Sequence, residues 1–184
     1  MPSTESSRKT KQLEMGKERE KQKGSWGSLS LDDHLNIAQV TSSFYPIIGG
    51  IELYVLYLSR ELVKRGHEVH VYTPDRVMNR RLKPAETEIN GIKIHRLPVA
   101  LELTYRAKIW PQLFSRLLKD SDKLDIIHVQ GHDHFHSLTA VIAAKIKGVP
   151  VAVSTYGPMV MQTECTWRKR MFFETYDSLV TPLV

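Results

Sequence analysis

The sequence predicts an α/β fold: a doubly wound, mainly parallel sheet with helices on both faces, forming a single domain over residues 35–184. Three observations carry this. Short apolar runs of strand length alternate with longer runs whose apolar residues recur every three or four positions. Glycine or proline follows several of the runs and stops them. A chain of 184 residues suits one ordinary domain and is too short for two substantial ones.

The elements follow in order. Residues 1–34 combine Lys, Glu, Ser and Gly with almost no aliphatic side chains. They cannot bury enough apolar surface to offset their ordering entropy, so a disordered basic tail, dispensable for folding, is expected. Asn36 to Thr41 reads as a buried strand, and Ile51 to Arg65 as a helix with apolar residues at 51, 54, 55, 58 and 62. Leu53, Leu56 and Tyr57 widen that stripe, as in a helix covered on both sides, and Gly66 ends it. Glu68 to Thr73 is the second strand, closed by Pro74. Within Glu86 to Leu97, Asn90 and Gly91 separate two alternating segments, a two-residue hairpin signal. Tyr105 to Lys119 is amphipathic, with Ile109, Leu113, Leu117 and Leu118 on its apolar side; Pro111 implies a kink or a helix that begins there. Asp125 to Gln130 is a strand, Phe135 to Lys147 a helix capped by Gly148, Val149 to Thr155 a strand, and Glu164 to Tyr176 a last helix.

Composition narrows the function classes. The longest strictly apolar stretches, such as Ala140 to Ala144, fall far short of a membrane span, and the basic start lacks the apolar run of a signal peptide. The single cysteine, Cys165, excludes an internal disulfide and a multi-cysteine metal site, which fits a cytoplasmic setting. The net charge of +6 is half accounted for by residues 1–24, with seven bases and four acids. The remainder is only mildly basic, so no nucleic-acid partner is expected.

In a sheet of this kind ligands bind beyond the carboxyl ends of the strands. That directs attention to the loops Ser42 to Gly50, Pro74 to Pro84, Gly131 to His136 and Tyr156 to Thr163. In the first, Gly49 and Gly50 sit where a strand hands over to a helix. There they would permit unusual backbone angles and close approach of an anion to the helix start, or simply a tight turn needed for packing. Glu52 would complement the helix dipole or reach an acceptor hydroxyl. His128 inside an apolar strand reads as a core histidine or a catalyst. His132, Asp133, His134 and His136 could supply a zinc site, although residues two apart point in different directions once a helix begins; a polar loop at the cleft mouth is the plainer reading, and no metal is expected. Arg76, Arg80, Arg81 and Lys83 could meet lipid headgroups or phosphorylated acceptors, or form a solvated loop. The basic Tyr105 to Lys119 segment could touch a membrane surface or pack on the sheet.

Three separated motifs carry a resemblance. Phe44 to Glu52 (FYPIIGGIE) precedes a helix that runs into Lys64-Arg65-Gly66-His67-Glu68-Val69; DIIHVQG follows at Asp125 to Gly131; VPVAVSTYGPM runs from Val149 to Met159. Over roughly residues 35 to 184 the chain resembles the amino-terminal, acceptor-side half of a family-four, GT-B type retaining glycosyltransferase. The resemblance implies a Rossmann-like domain facing a cleft, with Gly49 and Gly50 near the diphosphate of a nucleotide-sugar donor. Glu52, Gln130, His132 and Tyr156 would then lie toward a hydroxyl acceptor. His128, Gln130 and His132 are the catalytic candidates, and no cofactor is implied. The resemblance also implies a second, donor-binding half; the helix from Ile51, apolar on nearly every side, is expected to meet such a half as a separate protein chain or a second copy in a homodimer, and the basic segments noted above leave peripheral membrane contact open. Where typical members read His-x-His this chain has His128, Val129 and Gln130, and Tyr156-Gly157 stands for a frequent His-Gly. Gln and Tyr hydrogen-bond sugars but do not shuttle protons near neutral pH. Two alternatives stand beside the transferase: a non-catalytic or degenerate binding subunit that needs a separate donor-binding chain, which these departures favour, and a zinc hydrolase built on the histidine cluster.

Overall fold

The computed structural model describes residues 33–77, 80–83, 85–102, 108–132 and 134–156. Most of the 1–34 tail, Asp133, Gly157, Cys165 and the Glu164 to Tyr176 helix lie outside them. The chain divides into two units, Met1–Asp33 and His34–Val184, and every element below belongs to the second.

The order is β1 (Asn36–Val40), α1 (Gly50–Lys64), β2 (Glu68–Pro74), β3 (Arg76–Val77), β4 (Arg80–Arg81), β5 (Glu86–Ile89) and β6 (Ile92–Leu97). There follow β7 (Leu101–Glu102), β8 (Lys108–Ile109), α2 (Gln112–Asp120), a 3-10 turn (Ser121–Lys123), β9 (Ile126–Gln130), α3 (Phe135–Lys147) and β10 (Val151–Ser154). Six strands form one sheet in the order β10-β9-β1-β2-β6-β5. All its pairings are parallel except β5 with β6. The fold is α/β with a mainly parallel sheet, as the alternating pattern predicts.

Two apolar layers hold the sheet. On one face Val55 and Leu56 of α1 bury against Val69, Val71, Ile92 and Ile94. On the other, Leu113 and Leu117 of α2 and Ala140, Ala143 and Ala144 of α3 pack on Ala38, Val40, Ile127 and Val129. The pleat sends alternate residues of each strand to these two layers. Beside α2, Tyr72 donates a hydrogen bond to Asp120 (2.9 Å), which also accepts from Arg116 Nε (2.5 Å).

Helix ends follow local chemistry. After α1, Gly66 (φ 89) donates to the Val63 carbonyl and His67 to that of Leu62, the paired bonds of a Schellman motif. Gly148 (φ 63) ends α3 in the same left-handed region. Asn90 (φ 52) and Gly91 (φ 79) form the tight β5–β6 turn. A Cβ on Gly91 would also lie 2.8 Å from Val63 Cγ1, so glycine is required there twice over.

One expectation needs correction. The buried stripe of α1 is Glu52, Val55, Leu56 and Ser59, whereas Tyr54 and Tyr57 are exposed. A helix apolar nearly all round carries no periodic signal strong enough to choose its face, and the tyrosine hydroxyls favour the wet side. Of the two readings of Tyr105 to Lys119, the helix that begins at Pro111 is the one observed: α2 starts at Gln112, and Lys108–Ile109 pairs with Leu101–Glu102. Proline has no N–H to give an upstream turn, and its φ of −59° suits a helix start.

Candidate functional site

At β1 the topology switches. β1 leads through α1 to β2 on one side, while β9 lies on its other side and leads into α3 on the opposite face. The carboxyl ends of β1 and β9 therefore open onto a crevice between the starts of α1 and α3, where such sheets bind ligands.

The β1 side is built around Glu52. Its side chain is buried, its Oε1 accepts a hydrogen bond from Ser43 Oγ, and its carboxylate folds back over Gly49. A Cβ at Gly49 would collide with Glu52 Oε2 and lie 3.1 Å from its Cδ. Neither glycine needs an unusual angle, contrary to the expectation. Gly49 is extended (φ −152, ψ 177), and Gly50 is not among the glycines of positive φ. Gly49 is bare to seat Glu52. Gly50 has nothing within 4 Å of where a Cβ would stand, and the N-cap residue Gly49 has no side chain with which to cap the helix.

Lys108 brings a cation to the same place. Its side chain is 1% exposed, with Nζ 3.4 Å from the Ser42 carbonyl and 3.9 Å from Glu102 Oε1. Burial pushes its pKa down, and the charges of Glu102 and then Glu52 oppose that. Behind it, His136 Nε2 donates to the Gln130 carbonyl (3.1 Å) and the ring packs 5.8 Å from that of Trp110. Burial, then repulsion from His134, pushes the His136 pKa down to about 3, so the ring is neutral.

The β9 side is a polar network. Gln130 is buried; its Nε2 donates to Gln39 Oε1 (2.8 Å) and lies 3.2 Å from His128 Nδ1, while its Oε1 accepts from the Tyr156 hydroxyl. With Nδ1 accepting, His128 donates from Nε2 to Ser154 Oγ (2.8 Å). Burial lowers the His128 pKa. Burial, then Tyr54, pushes Tyr156 up to about 12, and the two tyrosine rings meet edge to face at 6.0 Å. The Tyr156 hydroxyl and the Gln130 amide hydrogen-bond and do not exchange protons near neutral pH.

The predicted residues thus fall into two adjoining sets, Gly49, Gly50 and Glu52 at the start of α1, and His128, Gln130 and Tyr156 across β9 and β10. His132 sits half-buried on the turn after β9. Among the described residues, which leave out Asp133, no three His, Cys, Asp or Glu side chains are grouped to hold a metal ion. Gln39, Ser43, Lys108 and Ser154 were not legible as site residues. Only Gln39 left a trace, a polar side chain amid the apolar residues of its strand, in register with His128.

The sequence profile of Glycosyltransferase Family 4 matches residues 48–182. The chain belongs to glycosyltransferase family 4. Curated relatives agree with it. The phosphatidylinositol N-acetylglucosaminyltransferase GPI3 subunit of Saccharomyces cerevisiae is 29% identical over 122 residues, covering 62% of this chain and 25% of that protein. The gpi3 subunit of the same-named enzyme in Schizosaccharomyces pombe is 31% identical over 118 residues, covering 60% and 24%. A GDP-mannose:cellobiosyl-diphosphopolyprenol alpha-mannosyltransferase of Xanthomonas oryzae pv. oryzae is 28% identical over 145 residues, covering 77% and 36%. The family 4 domain therefore spans about a quarter to a third of the length of these relatives. In fold it is similar to sucrose-phosphate synthase from Thermosynechococcus elongatus, with a TM-score of 0.50 and 18% identity over 80% of this chain and 40% of the other. Its fold is the Rossmann-like α/β one of GT-B glycosyltransferases.

Proposed function

We propose that this family 4 domain forms the acceptor-side wall of a cleft in which a sugar passes from a nucleotide-sugar donor to a hydroxyl acceptor. The open space at Gly50, at a helix start whose N-cap residue is itself a glycine, supports this reading most strongly. Phosphate oxygens approach helix amides most closely where no side chain intervenes. Since Glu52 already covers Gly49, the donor diphosphate comes in over Gly50. Glu52, His132 and Tyr156 face the acceptor, and His128 and Gln130 hold Tyr156 in place. The relatives' names carry phosphatidylinositol and diphosphopolyprenol, so we assign a lipid-linked acceptor and a peripheral position at a membrane surface. Among the described residues no helix is long and apolar enough to cross one.

Two of the relatives are named as subunits, and that favours a second reading in which the domain binds and positions while another polypeptide segment supplies the donor contacts. The hydrogen bonds that Gln130 makes with Tyr156 and His128 support it. The first test is titration calorimetry with a nucleoside diphosphate. Gly50→Val should weaken binding at least about tenfold, the loss of roughly 1.4 kcal/mol, with unchanged melting. Equal affinity in the folded variant refutes the phosphate role of Gly50.

A further inference from the structure

An apolar groove lies between α2 and α3, on the face of the sheet opposite α1, with a cavity volume of about 380 Å³. That size is within the range of sites for small molecules. Trp110 and Leu113 are buried in its floor, whereas Phe135 and Ile142 stand exposed along it, at 37% and 40%. We propose that this groove holds the hydrocarbon tail of the lipid-linked acceptor, an inference that rests on the acceptor class assigned above.

Two features of the groove select that occupant. The first is its chemistry. Nearly all of its lining is aliphatic or aromatic, and Lys108 and His136, the charged and titratable members, turn their nitrogens away toward the protein. A sugar or nucleotide seated there would leave its hydroxyls and phosphates without partners, which is costly, whereas a methylene chain needs none. The second is continuity. Lys108 Nζ reaches the Ser42 carbonyl at the end of β1, and His136 Nε2 reaches the Gln130 carbonyl at the end of β9. The same two side chains line the groove, so its wall is also the wall of the crevice. An acceptor whose hydroxyl lies beside Glu52 and Tyr156 has an apolar path for its tail immediately next to the site.

The test uses the full chain with Trp26 and Trp167 replaced by Phe, leaving Trp110 as the reporter within the groove. Dioctanoyl phosphatidylinositol and farnesyl diphosphate are titrated separately, with inositol 1-phosphate and inorganic diphosphate as tail-free controls. A saturable change in Trp110 emission with either tailed compound, and with neither control, is the expected result; the compound that binds more tightly identifies the source of the tail. Ile142→Lys and, independently, Phe135→Lys should weaken that binding at least about tenfold, because each puts a charge where the chain would lie. Both positions are exposed, so both variants should fold, and Ile48→Lys should bind like the parent. No emission change with either tail, or undiminished binding in both groove variants, overturns the proposal. So does a concentration-dependent self-association that Ile142→Lys abolishes while no tail binds. Nucleoside-diphosphate binding on the same protein separates the two readings. Donor bound without a tail removes the groove alone, and a tail bound without donor removes the transferase reading alone.

Discussion

Replacing Gly49 by alanine tests how the start of α1 is built. The new Cβ would collide with Glu52 Oε2 and stand 3.1 Å from Glu52 Cδ, so the carboxylate must leave its seat. Glu52 is 7% exposed and bonded to Ser43, and displacing it forfeits a charge-assisted bond of about 1.5–3 kcal/mol. Forced movement in a packed site costs a comparable ~1–3 kcal/mol. A destabilisation of about 2 kcal/mol is the expectation, read by urea unfolding. The backbone itself raises no objection, since φ −152 and ψ 177 suit any residue. In a Glu52→Ala background the same Gly49→Ala change should be nearly neutral. The entropy gained by losing a glycine, roughly 0.4–1 kcal/mol, offsets alanine's poorer capping. At Gly50, where a Cβ meets open space, Gly50→Ala should stabilise by about 0.5–1 kcal/mol. Equal costs of Gly49→Ala in the two backgrounds would refute the reasoning, because the coupling between residues 49 and 52 would then be absent.

Three more outcomes are open to measurement. The His136 pKa falls from 6.5 to about 3 on folding, so its contribution to stability is complete above pH 6.5 and is lost as pH drops from 6.5 toward 3. Across that window His136→Gln, which retains a donor for the Gln130 carbonyl, should reduce the slope of unfolding free energy against pH by up to about 1.4 kcal/mol per pH unit; an unchanged slope would contradict a neutral buried ring. Tyr72→Phe should cost about 1 kcal/mol in chemical denaturation, since the Asp120 carboxylate loses one donor and keeps Arg116. Gly91→Ala should cost more than 1 kcal/mol, roughly, through both its left-handed φ of 79 and the approach to Val63; a neutral result would mean that the turn adopts another form.

What could be read in the sequence was whatever is decided locally. The Asn90-Gly91 turn, the stops at Gly66 and Gly148 and the strands at Glu68 and Ile126 depend on backbone preferences within a few residues. The parallel sheet follows from the alternation those elements produce. The face of α1 depended instead on which side the sheet lay, and the strand pair before Pro111 on a partner segment too short to show alternation. The site divides the same way. Gly49, Gly50 and Glu52 stood out because a glycine pair precedes a helix, yet the spacing did not reveal that a Cβ at Gly49 would displace the Glu52 carboxylate. Gln39 and Lys108 escaped notice because what gives each its place is a contact made far along the chain, with Gln130 for one and Ser42 for the other.

The seam between β1 and β9 joins residues as far apart as Gln39 and Gln130, 91 positions along the chain. The β5–β6 hairpin, by contrast, closes across two residues. Each doubling of a closing loop adds about 0.6 kcal/mol of entropic cost, and contacts of long sequence separation slow folding. The hairpin and the β1–β2 lobe are thus expected to order first, with β9 docking afterwards. In a refolding experiment followed by hydrogen exchange, amide protection at Val129 should then lag behind that at Ile94. Because the crevice straddles this seam, a nascent chain that has emerged only as far as β6 carries a half-finished sheet and no binding site. On the proposed function, ligand capture is thereby deferred until the β1–β9 pair zips.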